Sequence, residues 1–115
     1  MRFEEFTFGS IRIDGRTYEC DVVIDRGAIY KRNKKPSKKF REQFGHTPVS
    51  INEAIPWKCR TPVMGTGTGA LSVMNEVKAE AKRLRVELLV LPTADAIELP
   101  KGNPKQTNAI LHVTC

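Results

Sequence analysis

Apolar and polar residues alternate along the first third of the chain, and this period of two predicts β-strands. Gly9-Ser10 interrupts the first alternating run and suggests a bulge, while Asp14-Gly15 is a strong signal for a two-residue hairpin turn. Asp25-Arg26-Gly27 offers a second tight turn. The three predicted strands span residues 6–13, 18–24 and 28–31, so antiparallel hairpins are expected at the N-terminus.

The period changes in the second half of the chain. Apolar residues recur every three or four positions over 71–84, which predicts an amphipathic helix, and the apolar run over 86–91 predicts a buried central strand. A short helix capped by Thr93 is expected to stop at Pro100. Two further strands are expected at 59–64 and 109–113. A strand–helix–strand crossover of this kind makes at least one strand pair parallel.

Two short helical signals lie between these regions. Phe40 and Phe44 are four residues apart, which favours a short helix over 37–44 that docks through one face. The pattern Ser50-x-x-Glu53 is a capping box that would open a turn. These elements together predict an α/β sandwich around a mixed sheet, with the N-terminal hairpins extending or covering it.

Length and composition favour one domain over residues 1–115. The chain is 40% hydrophobic, and no stretch approaches the roughly 18 apolar residues of a membrane span. The first eight residues lack the apolar core of a signal peptide, so a cytoplasmic location without membrane contact is expected. Cys20, Cys59 and Cys115 are widely spaced, which is typical of reduced thiols rather than a zinc or redox motif.

The formal charge of +6 is concentrated in one segment. Residues 31–41 contain seven Lys or Arg and no acid, leaving a net charge of −1 for the rest of the chain. The candidate basic surface within an insertion at about 31–44 consists of Lys34, Lys35, Lys38, Lys39 and Arg41. A solvated or mobile insertion is favoured, ahead of a surface for an acidic protein partner and ahead of nucleic-acid binding.

A glycine-rich run supplies the candidate ligand site: Gly65, Thr66, Gly67, Thr68 and Gly69. Such a turn can hold an anion on its backbone amides, or it can simply let a helix pack closely on its strand. The run fits the dinucleotide fingerprint formally, but its strand is short and no acid lies where the ribose would need it. Structural packing is favoured, with a small anion as the alternative.

No catalytic or metal-binding constellation accompanies that run. His46 and His112 are the only histidines, and neither has a ligand partner three or four residues away. His112 is expected to satisfy a hydrogen bond in a buried last strand. Asp21, at the start of an apolar run, is expected to be held by backbone amides or by an arginine. No cofactor and no metal are implied, and a non-enzymatic role is favoured.

Several landmarks occur in an order that resembles a known family. They are Phe8-Gly9, Ile13-Asp14-Gly15, Asp21-Val22-Val23-Ile24, Gly45-His46, Met64-Gly65-Thr66-Gly67, Leu91-Pro92-Thr93, Ala96 and the ending Leu111-His112-Val113-Thr114-Cys115. The chain resembles the family that includes the adipogenesis-associated domain protein and a mitochondrial assembly factor for respiratory complex I. The resemblance implies a three-layer α/β sandwich around a mixed five-stranded sheet, and action in assembly or regulation rather than catalysis.

The leading hypothesis is therefore a cytoplasmic, non-enzymatic domain that acts through contacts with a protein partner. The first alternative is a binding protein or enzyme for a small anionic ligand that uses the turn Gly65–Gly69. The second is a nucleic-acid accessory protein that uses the basic segment. The identities of ligand and partner, the oligomeric state and the pathway stay open at this level.

Overall fold

Two β-sheets and a few short helices form the framework of the chain. The structure, a computed structural model, describes residues 2–7, 9–44, 47–67, 73–98 and 107–113. Its strands are β1 (Phe3–Thr7), β2 (Ser10–Ile13), β3 (Arg16–Tyr18), β4 (Val22–Asp25), β5 (Ala28–Lys31), β6 (Val63–Gly65), β7 (Leu89–Leu91) and β8 (Ala109–Leu111). Its helices are a 3₁₀ helix (Lys35–Phe40), α1 (Arg41–Phe44), α2 (Asn75–Arg83) and α3 (Thr93–Ala96).

The central sheet has five strands in the order β5-β4-β8-β6-β7. Strand β4 runs antiparallel to β5 and β8, whereas β6 runs parallel to β7 and β8. The mixed sheet and the parallel pair are thereby confirmed. A separate antiparallel sheet consists of β1, β2 and β3. Asp14 and Gly15 join β2 to β3 with φ angles of 50° and 78°, as the hairpin signal predicts.

The two faces of the central sheet are covered by different elements, which produces three layers. One face supplies Val22, Ile24, Val63 and Leu111 to a core that also contains Ile11 and Ile13 of the small sheet and Ala96 of α3. The other face supplies Met64 and Ile110, which pack with Val77 of α2 and with Val49 and Ile55. The α/β fold and its N-terminal hairpins therefore match the sequence prediction.

The predicted N-terminal strands are wrong in their partition. The single strand expected over 6–13 is two strands, β1 and β2, and Gly9 turns between them with φ +112°. The strand expected over 18–24 is also divided: β3 ends in the small sheet and β4 begins in the central one. The alternation of apolar and polar residues indicates which side chains face a core. It does not indicate which sheet the strand joins through its backbone hydrogen bonds.

The apolar run over 86–91 does not form a central strand. Its described strand, β7, lies at an edge of the central sheet, and Val90 is 41% exposed. The C-terminal strand β8 takes the central position between β4 and β6. Leu88 and Leu91 are nevertheless packed against the two cores, because α2 and α3 cover this edge from opposite faces.

The helices agree more closely with their patterns. Helix α2 buries Val77 and Ala81 within the predicted 71–84 segment, of which residues 71 and 72 lie outside the described ranges. The 37–44 signal corresponds to the 3₁₀ helix followed by α1. Pro92 rather than Thr93 occupies the N-cap of α3. Across the described residues, the helices are too short or too polar to cross a membrane.

Replacement of Trp57 tests how much the core on the α2 side of the central sheet depends on the residues at its edge. The indole is half-buried against the cluster of Val49, Met64 and Ile110, so Trp57→Ala should lower the free energy of unfolding by about 1–2 kcal/mol. Tyr30→Ala is the control, because Tyr30 is 57% exposed on β5 and its removal should cost less than about 0.5 kcal/mol. Thermal or urea unfolding measures both. An unchanged melting temperature for Trp57→Ala, with loss of self-association, would instead make Trp57 an interface residue.

Candidate functional site

A buried cluster of charges lies where β4 begins and β5 ends. Arg32 follows β5 and is almost fully buried, and its guanidinium group reaches three different parts of the chain. Nε and Nη2 donate to the two carboxylate oxygens of Glu53, each at 2.8 Å. Nη1 donates to Asp21 at 3.0 Å, and Nη2 also donates to the Pro48 carbonyl at 2.9 Å. This fork geometry is one that arginine provides and lysine does not.

Asp21 connects this cluster to the C-terminal strand. Its Oδ1 accepts the backbone N–H of Val113 at 2.7 Å, and its Oδ2 lies 2.9 Å from Nδ1 of His112. Lys34 Nζ approaches the same oxygen at 3.4 Å. The expectation that backbone amides or an arginine hold Asp21 is confirmed on both counts. The expected hydrogen bond of the buried His112 ring is also present.

The predicted capping box opens a turn as expected, and its carboxylate has a second role. Glu53 accepts the Ser50 N–H as a capping box requires, and residues 51 and 52 form the turn. The same carboxylate also binds Arg32. The Ser37 hydroxyl donates to Glu53 at 2.5 Å and lies 2.6 Å from the Ser50 hydroxyl. Since Ser37 has one proton to give, the Ser50 hydroxyl donates to Ser37. Ser37 thus fastens the 3₁₀ helix to this turn.

The charges of the cluster are mutually compensated. Burial acts to lower the pKa of Arg32, but the hydrogen bonds and charges of Glu53 and Asp21 outweigh it and raise that pKa. The guanidinium group therefore stays charged at any physiological pH. Arg32 and Lys34 balance Asp21 and Glu53 in formal charge. Paired charges of this kind tolerate burial, whereas a single unpaired charge at this depth would be costly.

The candidate basic surface is divided by this anchoring. Lys35, Lys38, Lys39 and Arg41 are exposed, whereas Lys34 is half-buried beside Asp21. The 3₁₀ helix turns Ser37 inward and its three lysines outward, and Arg41 is exposed at the start of α1. The segment is therefore a folded element. Its exposed charges are held in place by the buried contacts of Arg32 and Ser37 with Glu53. Lys39 Nζ also lies 5.2 Å from the centre of the Phe40 ring, within cation–π range.

A cavity of about 300 Å³ opens between the start of β4 and the basic segment. Eight described residues line it, of which five are basic and one is acidic: Lys31, Arg32, Lys34, Lys35, Lys38, Asp21, Cys20 and Asn33. Asp21 and Arg32, which line this cavity, belong to the compensated cluster. Lys31, Lys35 and Lys38 are exposed, so positive charge dominates the opening.

The described part of the glycine run is used within the protein. The Thr66 N–H donates to the Leu91 carbonyl at 2.8 Å, and the Gly67 N–H donates to Thr93 Oγ1 at 2.7 Å. Thr93 in turn donates to the His112 carbonyl at 2.8 Å. Gly67 adopts φ +67°, which favours glycine. Thr93 therefore joins the turn after β6 to the end of β8.

Gly65 is required for close packing at the same place. A Cβ there would lie 2.9 Å from Leu111 Cδ2 and 3.2 Å from Thr93 Cα, closer than a side chain can approach without displacement. This agrees with the packing interpretation for Gly65, Thr66 and Gly67. The other two predicted ligand residues, Thr68 and Gly69, lie outside the described residues. Anion binding at the turn stays a prediction that depends on them.

The remaining chemical candidates are one histidine and three cysteines. His46 and Cys115 lie outside the described ranges. Cys20 and Cys59 are free thiols, and burial raises the pKa of the Cys59 thiol, which makes it a poorer nucleophile. Within residues 2–7, 9–44, 47–67, 73–98 and 107–113, no group of three or more His, Cys, Asp or Glu residues is placed to hold a metal ion.

Sequence reasoning missed that Arg32 and Ser37 face inward. Nothing distinguishes Arg32 from the six other cations of its segment, because its burial follows from the position of β5 beside β4. A partial signal was present at Ser50 and Glu53, since a capping box already places a carboxylate near a turn. The alternation of apolar and polar residues that ends at Lys31 does not indicate which later side chains face inward.

Two solved structures are similar to the chain along nearly its whole length. The conserved hypothetical protein PH1505 from Pyrococcus horikoshii OT3 has 30% sequence identity and a TM-score of 0.82, and the match covers 100% of both chains. A structure named MT938 has 26% identity and a TM-score of 0.71, covering 98% of this chain and 97% of its own.

A third structure supports the fold alone. It is an outer membrane protein from Bartonella henselae, with 12% identity, a TM-score of 0.66, and coverage of 98% of this chain and 94% of its own. No family model and no curated protein matches the chain. None of the three structures is named for adipogenesis or for respiratory complex I, so that resemblance stays a prediction.

The buried cluster should be a large contributor to stability. Arg32→Met removes the cation between two buried carboxylates and is expected to lower the free energy of unfolding by about 3–5 kcal/mol. Arg26→Met is the matched control, because Arg26 forms an exposed pair with Asp25 and should cost less than about 1 kcal/mol. Urea denaturation measures both. Equal stability of the two variants would contradict the role of Arg32.

The hydroxyl of Thr93 should be essential to the packing of the glycine turn. Thr93→Val keeps the shape but leaves the Gly67 N–H and the His112 carbonyl without this partner, so a loss of about 2–4 kcal/mol is expected. Thr93→Ser retains the hydroxyl and should lose much less. Hydrogen exchange of the Gly67 amide reports the contact directly. Unchanged exchange in Thr93→Val would show that another group holds the turn.

Proposed function

The chain belongs to the same family as the conserved hypothetical protein PH1505 of Pyrococcus horikoshii OT3, and on that premise we propose that it is a non-enzymatic binding domain that acts through protein contacts. The contact surface is the basic segment around the 3₁₀ helix, and the partner presents an acidic surface. The proposal includes an assembly or regulatory role in the cytoplasm. The free thiols of Cys20 and Cys59 are consistent with a reducing compartment.

The observation that carries this proposal is the fixed display of cations on the segment. Arg32 and Ser37 are buried and bonded to Glu53, while Lys39 and Arg41 project outward from the same short stretch. A surface held in this way loses little conformational freedom when it meets a partner, and preorganisation of this kind favours affinity. Exposed cations at a rim also accelerate encounter with an acidic surface.

The charge distribution favours a local contact over a long polyanion. Outside residues 31–41 the chain has a net charge of −1, so a nucleic acid that extended beyond the segment would meet a balanced surface. Nucleic-acid-binding domains usually carry basic residues along a whole face. An acidic patch on a protein partner needs only the area of the segment itself.

A nucleic-acid accessory role is the second candidate, because an aromatic side chain is exposed beside the cations. Tyr30 is 57% exposed and directly precedes Lys31. Bases can stack on such a ring while lysines contact phosphates. A small anionic ligand at Gly65–Gly69 stays the alternative for the turn, where Thr66 and Gly67 already bond within the protein.

Charge reversal at two outward positions tests the proposed contact. Lys39→Glu with Arg41→Glu should reduce binding of the acidic partner about tenfold or more, because like charges then face each other. Lys58→Glu with Arg60→Glu is the matched control: it reverses one exposed lysine and one exposed arginine, two residues apart, outside the segment. Both double variants should keep the melting temperature of the wild type.

The measurement is affinity capture from lysate with and without nuclease treatment, quantified by mass spectrometry and followed by titration of the purified partner. The proposal requires an acidic protein that binds wild type and control but not the Lys39/Arg41 variant, with affinity that falls as salt rises. Equal capture by both variants would contradict it. Capture that disappears on nuclease treatment would favour the second candidate, and catalytic turnover by pure protein would refute the non-enzymatic role.

A further inference from the structure

The basic segment also encloses a cavity that its outward cations do not explain. We propose that this cavity, between the start of β4 and the 3₁₀ helix, is a binding site for a phosphate group. Its volume of about 300 Å³ lies at the lower end of the range for small-molecule sites. The inference goes beyond the proposed protein contact, because a phosphate could occupy the cavity without any protein partner.

The balance of charges around the cavity calls for an anion. Among the described residues that line it, Arg32 and Lys34 already pair with the Asp21 carboxylate, and three further lysines are exposed at the opening: Lys31, Lys35 and Lys38. That carboxylate is directed to other groups of the protein, since Arg32, His112 and the Val113 N–H bind it. The negative charge of Asp21 is therefore compensated within the buried cluster. The exposed lysines determine the electrostatic potential at the opening. Clefts with one dominant sign of charge concentrate the counter-ion.

The geometry of the 3₁₀ helix brings two of these lysines together. Residues three apart are eclipsed in a 3₁₀ helix, so Lys35 and Lys38 lie on the same side, and both line the cavity. Ser37 points to a different side, into its contact with Glu53. Lys39 belongs to the same helix but does not line the cavity. The arrangement is thus a property of the fold rather than of composition alone.

The base of the cavity is rigid, which makes the site preformed. Asp21 and Arg32 are both almost fully buried, and they are joined by the side-chain pair and by a backbone hydrogen bond of 2.9 Å. Lys31 on β5 is opposite Val22 in the strand ladder, so its position is set by the sheet. The Asn33 amide adds a group that can donate to an oxygen or accept from an attached hydroxyl.

A phosphate suits this lining better than a carboxylate does. A phosphate monoester carries nearly two negative charges at neutral pH and offers three oxygens to lysines approaching from different elements. One carboxylate would leave most of the positive charge unbalanced. The remaining volume admits a small organic group beside the phosphate. The same chemistry can come from a free phosphorylated small molecule or from a phosphorylated side chain of another protein.

The test compares two pairs of cations from the same segment. Inorganic phosphate, pyrophosphate and a phosphoserine peptide are titrated into full-length protein at constant ionic strength, with chloride as the balancing anion. Binding is followed through the backbone amide resonances of residues 20, 21, 31–35, 37 and 38. Lys31→Ala with Lys38→Ala should weaken phosphate binding about tenfold or more, since charge-assisted hydrogen bonds are lost. Lys39→Ala with Arg41→Ala should leave it within about twofold.

Each outcome decides the proposal. Saturable shifts confined to these resonances and selective loss in the Lys31/Lys38 variant support the site. Tighter binding of the phosphoserine peptide than of its unphosphorylated form and of pyrophosphate assigns the phosphate to a protein, and the reverse order assigns it to a small molecule. Equal weakening by both pairs, or shifts spread over the whole segment, would show diffuse attraction and overturn the proposal. The protein contact is tested by Lys39 and Arg41, so either hypothesis can fail alone.

Discussion

The contact between Arg32 and its two carboxylates is the constraint on which much of the molecule depends. Its guanidinium group binds Glu53 and Asp21 away from solvent, and Asp21 extends the connection to His112 at the end of β8. The turn at residue 53, the hairpin of β4 and β5 and the C-terminal strand therefore meet in one buried cluster of paired charges. Because these charges compensate one another, displacement of one element would remove partners from charges that stay buried.

The sequence predicts the layers of this fold better than the partners of its strands. The mixed sheet and helix α2 follow from periodicity, because the same residues must be buried whichever neighbour covers them. The edge position of β7 and the division of residues 18–24 between two sheets depend on where β8 inserts. That insertion is decided by contacts between distant residues, and a local pattern does not contain it.

The candidate site shows the same limit in its side chains. The expectation for Asp21 holds because a carboxylate at the start of a buried strand must find donors. The inward direction of Arg32 could not be distinguished from that of neighbouring cations. The glycine run was correctly placed after a strand, but the partner of its Gly67 amide is Thr93, 26 residues away. The glycine pattern allows the backbone conformation that such a contact needs, but it does not identify the residue that makes the contact.

The two-sided character of the basic segment has a consequence for divergence among relatives. Arg32 and Ser37 face the interior and are constrained by the fold, whereas Lys35, Lys38, Lys39 and Arg41 face solvent. Surface positions of this kind can exchange residues with little effect on folding. Selection can therefore alter the sign and density of charge on this face independently of the scaffold. A single internal anchor would then support different recognition properties in different lineages.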